Sequence, residues 1–233
     1  MTRFEAAQER HSVRAMQAKP LSDEVVKALK ERIAEINSTT GLNIQLVTNE
    51  PKAFRSPLAR YGRFSNVTNY LVMAGKPSTT LDETIGYYGE DLVIMAQMMG
   101  VNSCWVGLTY KLQPDAVKLA EDDKVVCVIA LGYGADQGKQ HRNKELEQVC
   151  NINDNSPLWF LSAVSAALAA PTAVNQQKFY FELQEDEFTV KASAKWALNS
   201  YAKVDLGIAK YHFEIGLEEA GRIADTTYEI KWV

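Results

Sequence analysis

Apolar residues recur at two spacings along this chain, and the changes of spacing mark its elements. Residues 22–37 carry Val25, Leu29, Ile33 and Ile36 at helical spacing. Ser22 stands where a cap is wanted and Gly41 where a helix stops, so a helix is expected between them. An earlier helix is expected over 4–18. Leu42, Ile44 and Leu46 alternate with polar residues, which predicts a strand over 42–48. The run NYLVMA at 69–74 predicts another. Between these strands lies PKAFRSPLARYGRFSN, read as a long polar and aromatic loop. Residues 84–99, with Leu92, Ile94, Met95, Met98 and Met99, predict a buried helix ended by Gly100. A short strand at 104–106 and a short helix from Pro114 follow. Residues 124–131 are almost continuously apolar, the pattern of a strand at a sheet centre.

Residues 134–156 are polar and divide the chain into expected segments 1–150 and 151–233. Beyond them the pattern predicts a helix over 157–170 and a hairpin of 178–183 with 188–192. A helix over 206–217 follows, then a strand over 227–233 with Tyr228, Ile230 and Trp232 on one face. The class is α+β, with helices flanking a central, mostly antiparallel sheet. GEDLVIMAQMMGVN at 89–102 and KVDLGIAKYHFEIGLEEAG at 203–221 each open on an acidic-Leu pair, run apolar and reach a glycine. This predicts two pseudo-symmetric halves from an internal duplication; two buried helices of one fold would look the same.

Composition alters this picture little. The 233 residues are 46% hydrophobic and 23% charged, as in ordinary globular proteins. A net charge of −4 argues against nucleic acid as a partner, since phosphate backbones need a basic face. Arg3, Glu5, Glu9, Arg10, Arg14 and Lys19 leave no room for a signal peptide at the start. No run of membrane-spanning length is apolar. Cys104, Cys127 and Cys150 lie in or near apolar runs without close pairing, which reads as reduced thiols in a cytoplasm. His11, His141 and His212 lack metal-ligand spacing, so no metal is expected. Neither a G-x-S-x-G elbow nor a P-loop is present. Asp122–Asp123 reads as a turn, and His212 as a core or interface histidine.

Four stretches bear on chemistry. In ERHSVRAM at 9–16, Arg10 and Arg14 are i,i+4 neighbours on the expected helix, with Ser12 between them. Two like charges so close suit an anion such as a phosphate monoester; they equally suit a solvated basic face. In APTAVNQQKFYFEL at 170–183, Asn175, Gln176 and Gln177 supply amide donors and acceptors of the kind a heterocycle needs, or simply a helix-to-strand loop. In 86–110 an apolar helix feeds a strand ending at Gly107, where backbone can approach a flat ring; core packing explains the same run. In 128–146 a core strand enters a glycine-rich loop and then Arg142. The spacing of Gly132, Gly134 and Gly138 does not fit a dinucleotide fingerprint.

Together these stretches resemble the nitroreductase family. ERHSVR is similar to its R-x-S-x-R element, and APTAVNQQ to its A-P-S-x-x-N-x-Q element. SCWVG after a buried helix and the basic-Arg pair after a strand also match. The resemblance implies FMN as cofactor, with NADH or NADPH as co-substrate and a small-molecule electron acceptor such as a nitroaromatic or quinone. It implies Arg10, His11, Ser12, Arg14 and Arg142 at the ribityl phosphate. Pro171, Thr172, Ala173, Asn175 and Gln177 would line the ring, Gly107 and Leu108 would lie near its reactive nitrogen, and Ser65 and Asn66 near its pyrimidine edge or ribityl chain. No side chain would be catalytic in its own right, because the flavin carries the chemistry. Tyr61, Phe64, Tyr87 and Tyr110 are candidates for the acceptor pocket wall.

The order of motifs departs from the family's. The proline-containing element usually lies just after the second helix, but that place here holds INSTTGLNIQLV. This implies a single chain imitating the usual dimer, a compact branch with one flavin per chain, as a monomer or a homodimer. The alternative is a flavin-binding storage or sensor protein of the same fold without turnover.

Overall fold

The computed structural model describes residues 1–195 and 201–233. Its helices are α1 (Arg3–Glu9), α2 (Asp23–Thr40), α3 (Pro57–Tyr61), α4 (Leu81–Met98), α5 (Leu158–Ala167) and α6 (Ala202–Ala224). Its strands are β1 (Gln45–Val47), β2 (Asn69–Gly75), β3 (Asn102–Val106), β4 (Lys124–Gly132), β5 (Phe179–Leu183), β6 (Thr189–Ala194) and β7 (Lys231–Trp232). They form two compact units, neither continuous in sequence. One contains residues 10–81 and 91–140. The other contains residues 1–9, 82–90 and 141–233. This partition runs differently from a cut at residue 150.

The first unit is built on an antiparallel sheet in the order β1-β2-β4-β3. Every residue of β2 is buried, as are the last seven of β4, which accounts for their unbroken apolar runs. Tyr70 pairs with Ala130, Val72 with Val128, and Cys104 with Ala130 from the other side. Helix α2 forms as its pattern predicts. Ser22 Oγ accepts the Val25 N–H, and Gly41 closes the helix in the left-handed conformation (φ 72°). Val25, Leu29, Ile33 and Ile36 are all buried. Replacing the fully buried Leu29 by alanine would cost about 2–5 kcal/mol.

The expected loop at 51–66 is more ordered than its polarity implies. It holds a 3-10 turn at Lys52–Phe54 and the helix α3. Ala53, Phe54, Ala59 and Phe64 join the core below β2 and β4. Phe54 meets Phe64 and Tyr70 edge-on, with ring centroids 5.0 and 5.8 Å apart. Four apolar anchors among charged residues were enough to pin the segment to the core, while most of its other residues stay exposed.

The second unit packs α5 and α6 together and lays α6 on the β5–β6 hairpin. Phe181, Phe213 and Trp232 stack in its core. Strand β7 pairs parallel to β6 over two residues only, shorter than expected, although Tyr228, Ile230 and Trp232 alternate in burial with their neighbours. Helix α6 extends past the expected 206–217 at both ends. In this unit the first half of α4 crosses α6 at backbone contact. A Cβ on Gly86 would lie 2.0 Å from the Val204 carbonyl oxygen, and one on Gly207 would lie 2.0 Å from that of Glu83. Only glycine fits at either position. Beside this crossing His212 Nε2 lies 2.8 Å from Glu90 Oε1, both side chains fully buried. His212 is therefore a core histidine. The three cysteines are buried thiols, and none of them is in a disulfide.

Candidate functional site

The segment after α1 is not helical. Helix α1 ends at Glu9, because the next residues pair with the sheet unit instead of with the preceding turn. Single bridges join Ser12 to Ser103, Ala15 to Ser65 and Met16 to Gly134. The Val13 N–H donates to the Ser103 carbonyl (2.9 Å) and the Met16 N–H to that of Ser65 (3.0 Å). The Ser65 N–H donates back to the Arg14 carbonyl (3.1 Å), and the Ala135 N–H to that of Ala15 (2.9 Å). Arg10 and Arg14 are therefore not i,i+4 neighbours on a helix, as the sequence reading expected. They flank Ser12 on an irregular segment that isolated bridges tie to the sheet.

Their convergence is visible at Cys104 on β3. Burial pushes this thiol's pKa up, while Arg14, Arg10 and a hydrogen bond with Ser12 pull it down. Both guanidiniums and one hydroxyl thus act on a single buried atom. Arg10 is 3% exposed and Arg14 is open to solvent. His11 Nδ1 lies 3.2 Å from the Gln137 carbonyl oxygen. Gly138 lies opposite, at φ 70°, where a Cβ would come within 2.8 Å of the His11 Cβ. Asn66 donates from Nδ2 to the Met16 carbonyl (3.1 Å), so Ser65 and Asn66 stand beside this segment. Asn102, which the sequence reading missed, braces the region. Its Oδ1 accepts the Gly134 N–H (2.8 Å) and its Nδ2 donates to Gln137 Oε1 (3.1 Å). Ser103 Oγ is buried and has no hydrogen bond among the described residues. At the far end of β3, Gly107 is half-buried and Leu108 is 72% exposed.

The remaining expected residues, Arg142, Pro171, Thr172, Ala173, Asn175 and Gln177, all belong to the second unit. There the chain makes an unusual turn. Val174, Asn175 and Gln177 have φ of 49°, 54° and 44°, a left-handed conformation that costs about 1–3 kcal/mol for each non-glycine residue unless its surroundings impose it. The surroundings are polar. Gln177, 1% exposed, uses both ends of its amide. Oε1 accepts the Lys144 N–H (2.9 Å), and Nε2 donates to the Arg142 carbonyl (2.9 Å) and Asn175 Oδ1 (2.8 Å). Asn175 Nδ2 donates to the same carbonyl (2.8 Å). Lys144 Nζ donates to the carbonyls of Gln176 (2.8 Å) and Gln177 (2.6 Å); its pKa is lowered by burial and by Lys178 and Lys195. Asp205 on α6 accepts from the other side. Its Oδ1 takes the Ala173 N–H (3.0 Å) and its Oδ2 the Gln176 amide (2.7 Å). The turn presents Val174, 90% exposed.

Lys144 and Asp205 were not singled out by the sequence. Asp205 had a signal, since an acid inside the apolar run VDLGIA needs a buried partner. The aromatic candidates scatter. Phe64 is core, Tyr110 packs against the core, and Tyr87 in the second unit donates its hydroxyl to Glu214. Tyr61 alone of the four is largely exposed. Among the described residues no cluster of histidines, cysteines and acids has the makings of a metal site, and no helix is long and apolar enough to cross a membrane.

Solved structures share this fold. A "putative nitroreductase" from Thermotoga maritima is 20% identical over 97% of this chain and 87% of its own, with a TM-score of 0.68. A "putative nitroreductase in complex with FMN" from Desulfovibrio desulfuricans is 17% identical over 67% of this chain and 99% of its own, at 0.51. A "putative NADH dehydrogenase/NAD(P)H nitroreductase" from Bacteroides thetaiotaomicron is 18% identical over 66% and 96%, at 0.50. No curated protein matches the sequence. The family model described as "Putative TM nitroreductase" matches residues 2–217. With nearly the whole chain covered, the protein belongs to this nitroreductase family.

Proposed function

We propose that this protein binds FMN and uses it to pass electrons from NADH or NADPH to a small acceptor of the quinone or nitroaromatic type. The observation that carries the reading is that Arg10, Ser12 and Arg14 lie on one short segment bridged to β3 and all act on the buried Cys104 thiol there. A phosphate monoester calls for several charged and neutral donors at close quarters. Two guanidiniums and a hydroxyl, in a chain whose net charge is −4, meet that demand. Family membership and a neighbour solved with FMN lend support.

In this reading Arg10, Arg14, Ser12 and His11 hold the phosphate, and Arg142 adds positive charge. Ser65 and Asn66 contribute polar contacts to the ribityl chain or pyrimidine edge. Pro171, Thr172, Ala173 and Asn175 line the ring, with Gln177 fixing their turn. The Gly107 and Leu108 backbone adjoins the ring's reactive nitrogen. Bound FMN would take a hydride from the nicotinamide and deliver electrons to the acceptor. The protein's own residues bind and orient; none need act as nucleophile or base. The stoichiometry in this reading is one flavin per chain.

The test is to purify the protein, add FMN and follow visible absorption, then NADH and NADPH oxidation. Flavin that stays with the protein and oxidises either nucleotide faster than free FMN supports the proposal. A protein that takes up no flavin overturns it. Retained flavin without turnover favours storage or sensing instead. An R14A change should weaken FMN by roughly tenfold to a hundredfold, the worth of a charged hydrogen bond, and leave riboflavin unaffected.

A further inference from the structure

The turn at 172–177 is held from two sides. Lys144 and Gln177 tie its later part. Its earlier part, where the left-handed stretch begins, closes on Thr172 and Ala173 and is tied to one side chain of a distant helix. Asp205 is the partner of the Ala173 N–H and of the Gln176 amide, at 3.0 and 2.7 Å. It is 3% exposed and sits in the first turns of α6, close to the Gly86–Gly207 crossing. A buried carboxylate without a cation is costly to maintain. Here both oxygens are spent on one turn.

We infer that Asp205 is a positioning residue that locks the 172–177 turn in its left-handed form, and so sets the affinity of the surface this turn offers to the flavin ring. The link to flavin rests on the function proposed above; the lock itself does not.

The lock is sensitive to pH. Burial raises the Asp205 pKa to about 6, against the pull of the hydrogen bonds from Gln176 and Ala173. No charged group is among the forces acting on it. Lys210 on the same helix pairs with Glu83 of α4 at 3.0 Å, and Lys203 is exposed. His212 faces Glu90, Tyr87 donates to Glu214, and Lys144 donates to the turn's carbonyls. An ionised Asp205 accepts from both donors. A protonated one has a hydrogen to place between two donors and holds the turn less well.

The experiment follows two signals in the full-length protein between pH 4.5 and 8: the backbone amide resonance of Ala173, and FMN affinity by fluorescence quenching. In the wild type the amide should titrate near pH 6, with FMN binding tightening as pH rises through the same midpoint. D205N places an amide against the Gln176 amide. It should bind FMN roughly tenfold more weakly at pH 7.5, the effect of one lost charged hydrogen bond, and lose both pH steps. The double change D205N with Q176E exchanges donor and acceptor and should restore part of the affinity. An Ala173 amide and an FMN profile unchanged in D205N would overturn the inference while leaving the flavin reading intact. An Ala173 amide that titrates in a wild type that binds no FMN would uphold the lock and overturn the flavin reading.

Discussion

The 10–16 segment is held by its backbone, whereas the 172–177 turn is held by side chains. In the first, main-chain hydrogen bonds to Ser103, Ser65 and Ala135 fix the path, and the side chains of Arg10, Ser12 and Arg14 remain available for chemistry. In the second, three left-handed non-glycine residues exist only because Gln177, Lys144 and Asp205 surround them with partners. The difference teaches where each is vulnerable. Side-chain changes should alter the ligand properties of the first region without unfolding it. In the second, the residues that matter most for structure never need to touch a ligand.

The largest expected effect comes from Gln177→Ala. It strands the Lys144 N–H, leaves the Arg142 carbonyl with Asn175 alone of its two side-chain donors, and empties the place of a buried side chain, which should cost about 3 kcal/mol, read as a lower midpoint in urea with an unchanged slope. A loss under about 0.5 kcal/mol would mean that the turn stands without its amide and that the comparison fails.

Next is Asp205, where stability and turn order should part company. Its folded-state pKa of about 6 lies above the ordinary 3.8. Its favourable contribution to stability is therefore fully present below the unfolded pKa and lost as pH rises through about 6. Between pH 4 and 7 the wild type should lose about 2–3 kcal/mol relative to D205N, measured by denaturant unfolding of both proteins across that range. Parallel curves would show that Asp205 does not titrate there.

The smallest effect is at Ser65. Its N–H and carbonyl carry the bridge to Arg14 and Met16, so S65A should change stability by less than about 0.5 kcal/mol. S65P removes the donor and should cost about 1–3 kcal/mol. A thermal melt of the two variants side by side would show whether the backbone is indeed what holds this region.

Much of the fold could be read directly. Helix α2 announced itself through Ser22, Gly41 and four apolar residues, all buried as expected. Strands β2 and β4 did so through unbroken apolar runs. The 10–16 segment was misread for a definite reason: residues 10, 12 and 14 fit a helical i,i+4 pair and a strand's alternation equally well. Only the tertiary partners Ser103, Ser65 and Gly134 decide between them. The 170–177 stretch was nominated by its amides as a surface for a heterocycle, and in the structure it is a strained turn. That Gln177 would turn its amide onto its own chain could not be read, because composition does not tell which donor an acceptor meets. Asp205 was passed over although an acid in an apolar run is a signal, and its partners lie about thirty residues away in sequence.

The way the two units are threaded also bears on how the chain is made. Helix α1 is made well before its packing partners α5 and α6, which follow more than 140 residues later. The sheet unit contains nothing beyond residue 140, so it has all its strands in hand while α1 and residues 82–90 still wait. Synthesis therefore completes the strands of the four-stranded sheet before the helices on which α1 packs. A chain released early would leave α1 and the first half of α4 without the helices that cover them.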